Sequence, residues 1–197
     1  MRLALFGGTF DPIHRAHLIV AREAADRFAL DQVWFIPAAH PPHKADHTGA
    51  GYEDRFRMVE IACRVDPRFV ASRLEAGDRK SYTIDTVERV LATGEKPLLI
   101  IGADAFAEIH TWHRWRDLVQ LIEFIVVTRP GHPYHAPEGA RVMRLDTLAL
   151  PVSSSEIRRQ LAEGQIPPEL PDEVAAYISS RGLYLRAEAR PSATARG

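Results

Sequence analysis

The order of patterns along this chain predicts an α/β fold: a doubly wound parallel sheet with helices on both faces and a small helical C-terminal part. Three observations carry that prediction. Short apolar runs alternate with amphipathic stretches through the first two thirds of the 197 residues, the pattern of parallel strands joined by crossover helices. Most of the amphipathic stretches are long enough to cross a sheet, and right-handed crossovers wind such a sheet to both sides. The hydrophobic share of 46% suffices for one sizeable core, so residues 1–185 are expected to form a single domain.

The first strand is expected at residues 2–6, where Leu3-Ala4-Leu5-Phe6 leads into Gly7-Gly8-Thr9-Phe10-Asp11-Pro12-Ile13-His14-Arg15-Ala16-His17. A strand, a glycine turn and a helix start bring unpaired backbone N–H groups and the positive end of the helix dipole to one spot, which favours a bound anion. His14 and His17, three apart in a first helical turn, share a face and lean toward the glycines. The helix they open spaces Val20, Ala24 and Phe28 four apart, an apolar stripe of helical period.

Further strands are expected at residues 32–37, 69–72, 97–102 and 123–128, with helices over 52–64, 82–93 and 114–122. Trp34, between Val33 and Phe35, reads as core; Trp112 and Trp115, three apart, read by themselves as a helical core stripe. Ligands in this architecture sit outside the carboxyl ends of the strands. The glycine turn after the first strand and Gly102-Ala103-Asp104 after the fourth both fall at that edge, so two candidate sites share one cleft.

The final third differs in texture. A short strand at 142–146 precedes Ser153-Ser154-Ser155-Glu156, which reads as a capping box with Ser153 as N-cap, opening a helix that stops at Gly164. That helix start is a second cluster of N–H donors. Ser154 and Ser155 add hydroxyls and Arg158 and Arg159 add charge one turn in, a set suited to a polyphosphate. A last helix is expected over 172–181, ended by Gly182, and the Arg-rich, small and polar residues 186–197 are expected to form a disordered tail.

Composition narrows the partners. The formal net charge of -1 balances 25 basic against 26 acidic side chains, so no global field favours nucleic acid and none is expected as a partner. Cys63 is the one cysteine, which excludes an intramolecular disulfide framework and suits a reducing compartment. The apolar run after Met1-Arg2 is too short for a signal peptide or membrane span, so the cytoplasm is the expected location, with no membrane partner. The chain lacks G-x-G-x-x-G, the dinucleotide fingerprint of dehydrogenases. His14, His17, His40 and His43 are conceivable zinc ligands, but no cysteine lies near them, and the phosphate context leads us to expect no protein-held metal.

Together, the Gly7–His17 run, Pro41-Pro42-His43-Lys44, Ser81-Tyr82-Thr83, Gly102-x-Asp104, Trp112 and Ser153-Ser154-Ser155-x-x-Arg158 resemble the bacterial nicotinate-nucleotide adenylyltransferases of the nucleotidyltransferase superfamily, from the first strand to about Tyr184. The resemblance implies a Rossmann-like fold and an enzyme that joins ATP and nicotinate mononucleotide, giving deamido-NAD and pyrophosphate, with Mg2+ accompanying ATP. It implies His14, His17, Lys44 and Arg158 as catalytic residues. Gly7, Gly8, Thr9, Phe10, His14, His17, Gly102, Asp104, Ser154, Ser155 and Arg158 would then hold ATP, and Lys44, Ser81, Tyr82, Thr83 and Trp112 the mononucleotide. Ala16 stands where the family's H-x-G-H has glycine, His113 follows Trp112 where some relatives carry tyrosine, and Ser155 replaces a common threonine. Two alternatives remain: an adenylyltransferase of the same superfamily acting on phosphopantetheine or another phosphate acceptor, and a non-catalytic ATP-binding sensor. The expected partners are the two small-molecule substrates, and the expected state a monomer or small homo-oligomer.

Overall fold

The computed structural model describes residues 1–40, 49–77, 80–129, 131, 133–148 and 152–185. Among them six parallel strands form one sheet: β1 (Leu3–Gly8), β2 (Gln32–Pro37), β3 (Phe69–Ala71), β4 (Leu98–Gly102), β5 (Glu123–Thr128) and β6 (Arg141–Asp146). Their order is β3-β2-β1-β4-β5-β6, so the sheet grows one way from β1 through β3 and the other way from β4 through β6. The switch point lies between β1 and β4, where such sheets bind ligands.

Seven helices, α1 (Arg15–Arg27), α2 (Tyr52–Cys63), α3 (Thr83–Leu91), α4 (Ala103–Ala107), α5 (Trp115–Leu121), α6 (Ser154–Ala162) and α7 (Asp172–Arg181), cover the two faces. Successive residues of a strand point to opposite faces, and a sheet buried on both sides needs apolar residues at every position. The central strands do this. Ala4 of β1, Leu98 and Ile100 of β4 and Ile125 of β5 pack in one core with α1, α2, α6 and α7. Leu3 and Leu5, Leu99 and Ile101, and Phe124 and Val126 point the other way, into a second core with α3, α4 and α5. The doubly wound architecture with its C-terminal helices thus agrees with expectation. No helix among the described residues is long and apolar enough to cross a membrane.

Several local features depart from the sequence reading. Strand β1 runs through Gly7 and Gly8, which pair with Ile36 and Pro37, and neither glycine has positive φ. The sharp turn comes later, with Phe10 at φ 48°. His14 lies just outside the helix as its N-cap, at φ −144°. A residue in the left-handed region, Arg114 at φ 50°, separates Trp112 from Trp115. The two tryptophans therefore share no helical stripe, and α5 begins at Trp115. The short α4 and the 3-10 turn at Ile109–Thr111 are too brief to leave a period in the sequence. Trp34 is half-buried beside the second core, its indole N–H donating to Gln32 Oε1 at 2.9 Å.

At the start of α6 half of the expected capping box forms. Ser153 Oγ accepts from the Glu156 N–H at 3.1 Å, but Glu156 does not reach back. Its carboxylate accepts from Arg159 Nε at 3.0 Å and from the Gln160 amide at 3.0 Å. Arg159 is thereby spent on the solvent face. Residues 186–197, expected as a tail, lie outside the described residues.

Candidate active site

A cavity of about 840 Å³ opens at the carboxyl ends of β1, β4 and β5, with His14, His17, Gly102, Asp104 and Ser154 on its walls. The sequence placed all five in an ATP site. Residues it did not single out complete the walls: Thr128, Arg129 and Tyr134, with Thr147 beyond β6. His135 and Ala16 also line this cavity.

The two histidines form a stacked pair, ring centroids 3.7 Å apart at 28°. The His14 backbone N–H donates to His17 Nδ1 at 3.2 Å, so the neutral His17 ring carries its proton on Nε2. His14 is only 4% exposed, and its Nδ1 is a buried polar atom with no hydrogen-bond partner. Burial pushes the His14 pKa down to about 4. Burial, and then the neighbouring His14, hold His17 well below the ordinary histidine range. Phe10 and Phe6 pack edge-on against His17, with centroids at 5.1 and 6.1 Å. At neutral pH the pair is therefore two uncharged imidazoles that can stack at van der Waals distance without cation repulsion. A buried polar atom left unpaired is costly.

The loop before α1 is tied to distant parts of the chain. Ser154 Oγ donates to the Pro12 carbonyl at 3.1 Å, and Arg158 Nη1 donates to the Asp11 carbonyl at 2.7 Å. Arg158 Nη2 reaches Ser155 Oγ at 3.3 Å. Arg158 and Ser155 are not on the cavity walls; they brace the loop that carries His14. Asp11, to which the sequence reading gave no role, is the hub. Its carboxylate accepts from the Gly49 and Ala50 N–H groups at 2.7 and 3.1 Å and from Tyr184 Oη at 2.7 Å, and it lies 3.7 Å from Arg158 Nη1. Buried Arg55 completes the bracing by donating to the Thr9 and Ala50 carbonyls at 2.7 and 3.2 Å.

A second cavity, of about 260 Å³, lies at the same edge of the sheet. Gly7, Gly8, Thr9, Ser81, Thr83 and Trp112 are among its walls. The three N-terminal residues thus border the space beside Ser81 and Trp112, and Phe10 is a core residue, 3% exposed. Phe6 and Gly102 border both cavities, so the two adjoin there. A Cβ added at Gly7 or Gly102 would meet nothing within 4 Å; these glycines keep the cleft floor open. Ser81 is fixed by two hydrogen bonds with His40, Ser81 N–H to the His40 carbonyl at 3.1 Å and the His40 N–H to Ser81 Oγ at 3.2 Å. Tyr82 is not among the residues lining this cavity and packs against His113 with centroids 4.4 Å apart. Glu75 also lines it, and no sequence signal marked that residue. Lys44, with Pro41, Pro42 and His43, lies outside the described residues.

This cleft at the switch point of a doubly wound sheet, with its buried histidine pair, fits one class of nucleotide-binding protein, and residues 5–160 match the Cytidylyltransferase-like family. The chain is 59% identical over 187 residues to the "Probable nicotinate-nucleotide adenylyltransferase" of Solibacter usitatus, covering 93% of this chain and 100% of that protein. It is 42% identical to the protein of the same description from Thermus thermophilus, over 93% of this chain and 100% of that one. The chain belongs to the nicotinate-nucleotide adenylyltransferase family. Its fold is that of the Plasmodium falciparum nicotinic acid mononucleotide adenylyltransferase complexed with NaAD: TM-score 0.78 at 20% identity, over 93% of this chain and 97% of the other.

Proposed function

We propose that this chain transfers the adenylyl group of ATP to the 5′-phosphate of nicotinate mononucleotide, giving deamido-NAD and pyrophosphate. The observation that carries the reading is the pair of cavities meeting at Phe6 and Gly102, which would let two substrates approach end to end. The larger would take ATP, with Asp104 toward the ribose or adenine and Ser154 toward the phosphates. The smaller would take the acceptor, its pyridine ring on the half-buried Trp112 face and beside Ser81 and Thr83.

The acceptor phosphate has a second pKa near 6 and is already largely ionised at neutral pH, so no general base is required. Its oxygen attacks the α-phosphorus while the bond from that phosphorus to the β-bridging oxygen breaks, and the electron pair leaves on pyrophosphate. What the protein adds is alignment and charge stabilisation. His17, with Nε2–H as donor, and His14 would hydrogen-bond oxygens of the α-phosphate. Lys44 and Arg158 would add positive charge toward the distal phosphates, with Ser155 supporting Arg158.

Magnesium belongs to this reading as ATP's companion. Among the described residues no group of three or more His, Cys, Asp or Glu side chains is placed to hold a metal ion. As a hard cation that keeps much of its water, the ion would accompany the phosphates and draw charge from them. We place the reaction in the cytoplasm, the reducing compartment that a chain with Cys63 as its one cysteine suits.

Pyrophosphate release from ATP and magnesium, measured with nicotinate mononucleotide, nicotinamide mononucleotide or phosphopantetheine as acceptor, tests the assignment. Release is expected with nicotinate mononucleotide. Release with phosphopantetheine alone would move the chain to another branch of the superfamily, and release with none would leave it an ATP-binding module.

A further inference from the structure

Glu75 is the side chain in the smaller cavity that the reaction as described leaves unused. It also lines an adjoining cavity of about 270 Å³, so it stands in the partition between the two. Its Oε1 accepts from Thr86 Oγ1 at 2.7 Å, and the Ser81 hydroxyl is among the groups that hold its pKa down. The Thr86 hydroxyl is therefore committed to Glu75, and Ser81 Oγ accepts from the His40 N–H.

We infer that Glu75 sets the choice of pyridine acceptor, holding a proton taken from solvent when a nicotinate carboxylate enters the cavity and staying ionised when a nicotinamide enters. The inference depends on the pyridine ring occupying the space beside Ser81, Thr83 and Trp112. Two carboxylates brought together in a small cavity cannot both remain ionised cheaply; one takes a proton and donates it to the other. A carboxamide instead offers N–H donors to a carboxylate and needs no proton.

The groups facing Glu75 favour this behaviour on balance. Burial, the largest influence, raises its pKa; the Thr86 and Ser81 hydroxyls and Arg89 of α3 lower it, and Asp85 of α3 raises it. Arg89 is partly occupied by the Leu74 carbonyl, to which Nη1 donates at 2.6 Å. Lys80 and Tyr82 face the adjoining cavity.

The test is the pH dependence of KM for nicotinate and nicotinamide mononucleotides between about pH 6.5 and 9. Both carry the same phosphate, so the ratio of the two KM values cancels its titration. The nicotinate-to-nicotinamide KM ratio is expected to climb by up to about tenfold per pH unit above the Glu75 titration. In Glu75→Gln, whose amide donates without titrating, the ratio is expected to be flat. A purely structural role would alter both KM values together and leave the slope in place. Calorimetry of the unmodified protein in two buffers of different ionisation enthalpy gives a second readout: one proton taken up with nicotinate mononucleotide, none with nicotinamide mononucleotide. A flat ratio in the unmodified protein, the same slope in Glu75→Gln, or no differential proton uptake overturns the inference. Trp112→Ala separates the two ways of failing. If it raises KM for both pyridine nucleotides while the ratio is flat, only the Glu75 inference falls; if it changes neither, the pyridine lies elsewhere and the inference falls with its premise.

Discussion

At the scale of residues, the stacked histidines link stability to function. A histidine kept neutral in the fold charges freely when the chain unfolds, so the unfolded state binds more protons as pH drops. The folded pKa is depressed, to about 4 for His14. This contribution is therefore neutral above the ordinary histidine pKa of about 6.5 and destabilises progressively as pH falls from there toward the folded value. Each such group costs up to about 1.4 kcal/mol per pH unit. Between about pH 6.5 and 4.5, His14 alone should remove roughly 2 kcal/mol, read as a falling urea midpoint. His14→Gln, which stays polar but does not titrate, is expected to lose roughly 2 kcal/mol less over that interval. Parallel curves for the two proteins would show that His14 does not titrate in the way its burial demands. The three-residue spacing of His14 and His17 was legible in the sequence. Their stacking was not, because it follows from His14 capping the helix from outside it.

At the scale of elements, the loop from Thr9 to His14 is held by partners far along the chain. Asp11 binds Gly49 and Ala50, 38 and 39 residues away, and Tyr184, 173 away. No local pattern encodes such contacts, so the sequence showed the motif and left Asp11 without a task. The elements it did reveal were those with a local cause: α7, bounded by Gly182 in the left-handed region, and the central strands, apolar on both faces. A hydrogen bond to a charged group contributes about 1.5–3 kcal/mol, so Tyr184→Phe should lower the urea midpoint by about that energy with an unchanged slope. Gly49→Ala should act through the same contact, because its Cβ would lie 2.8 Å from the Tyr184 ring and 2.9 Å from Arg158 Cδ. A Tyr184→Phe protein as stable as the parent would mean that the other Asp11 contacts hold the loop unaided.

At the scale of the molecule, the parity of β1 decides which side of the sheet each side chain takes. Leu3, Leu5 and Gly7 share one side of the strand by the alternation of side chains, and Leu5 and Gly7 both border the smaller cavity. Phe6 points to the other side, packs with Phe10 and Phe35 around the first core, and borders both cavities. The sequence assigned Gly7 to ATP as part of one glycine-rich run, since a run of residues carries no record of which face each will take until the strand is known to continue through it. Gly7→Val decides the matter. A Cβ there meets nothing within 4 Å, the backbone is paired strand, and valine suits a strand, so stability should change by less than about 1 kcal/mol. The added side chain projects into the acceptor space, and a steric penalty of about 1–3 kcal/mol there corresponds to roughly a tenfold to hundredfold rise in KM. That rise is expected for nicotinate mononucleotide and not for ATP in steady-state measurements. A rise confined to ATP would return Gly7 to the nucleotide side and reverse the assignment of the two cavities.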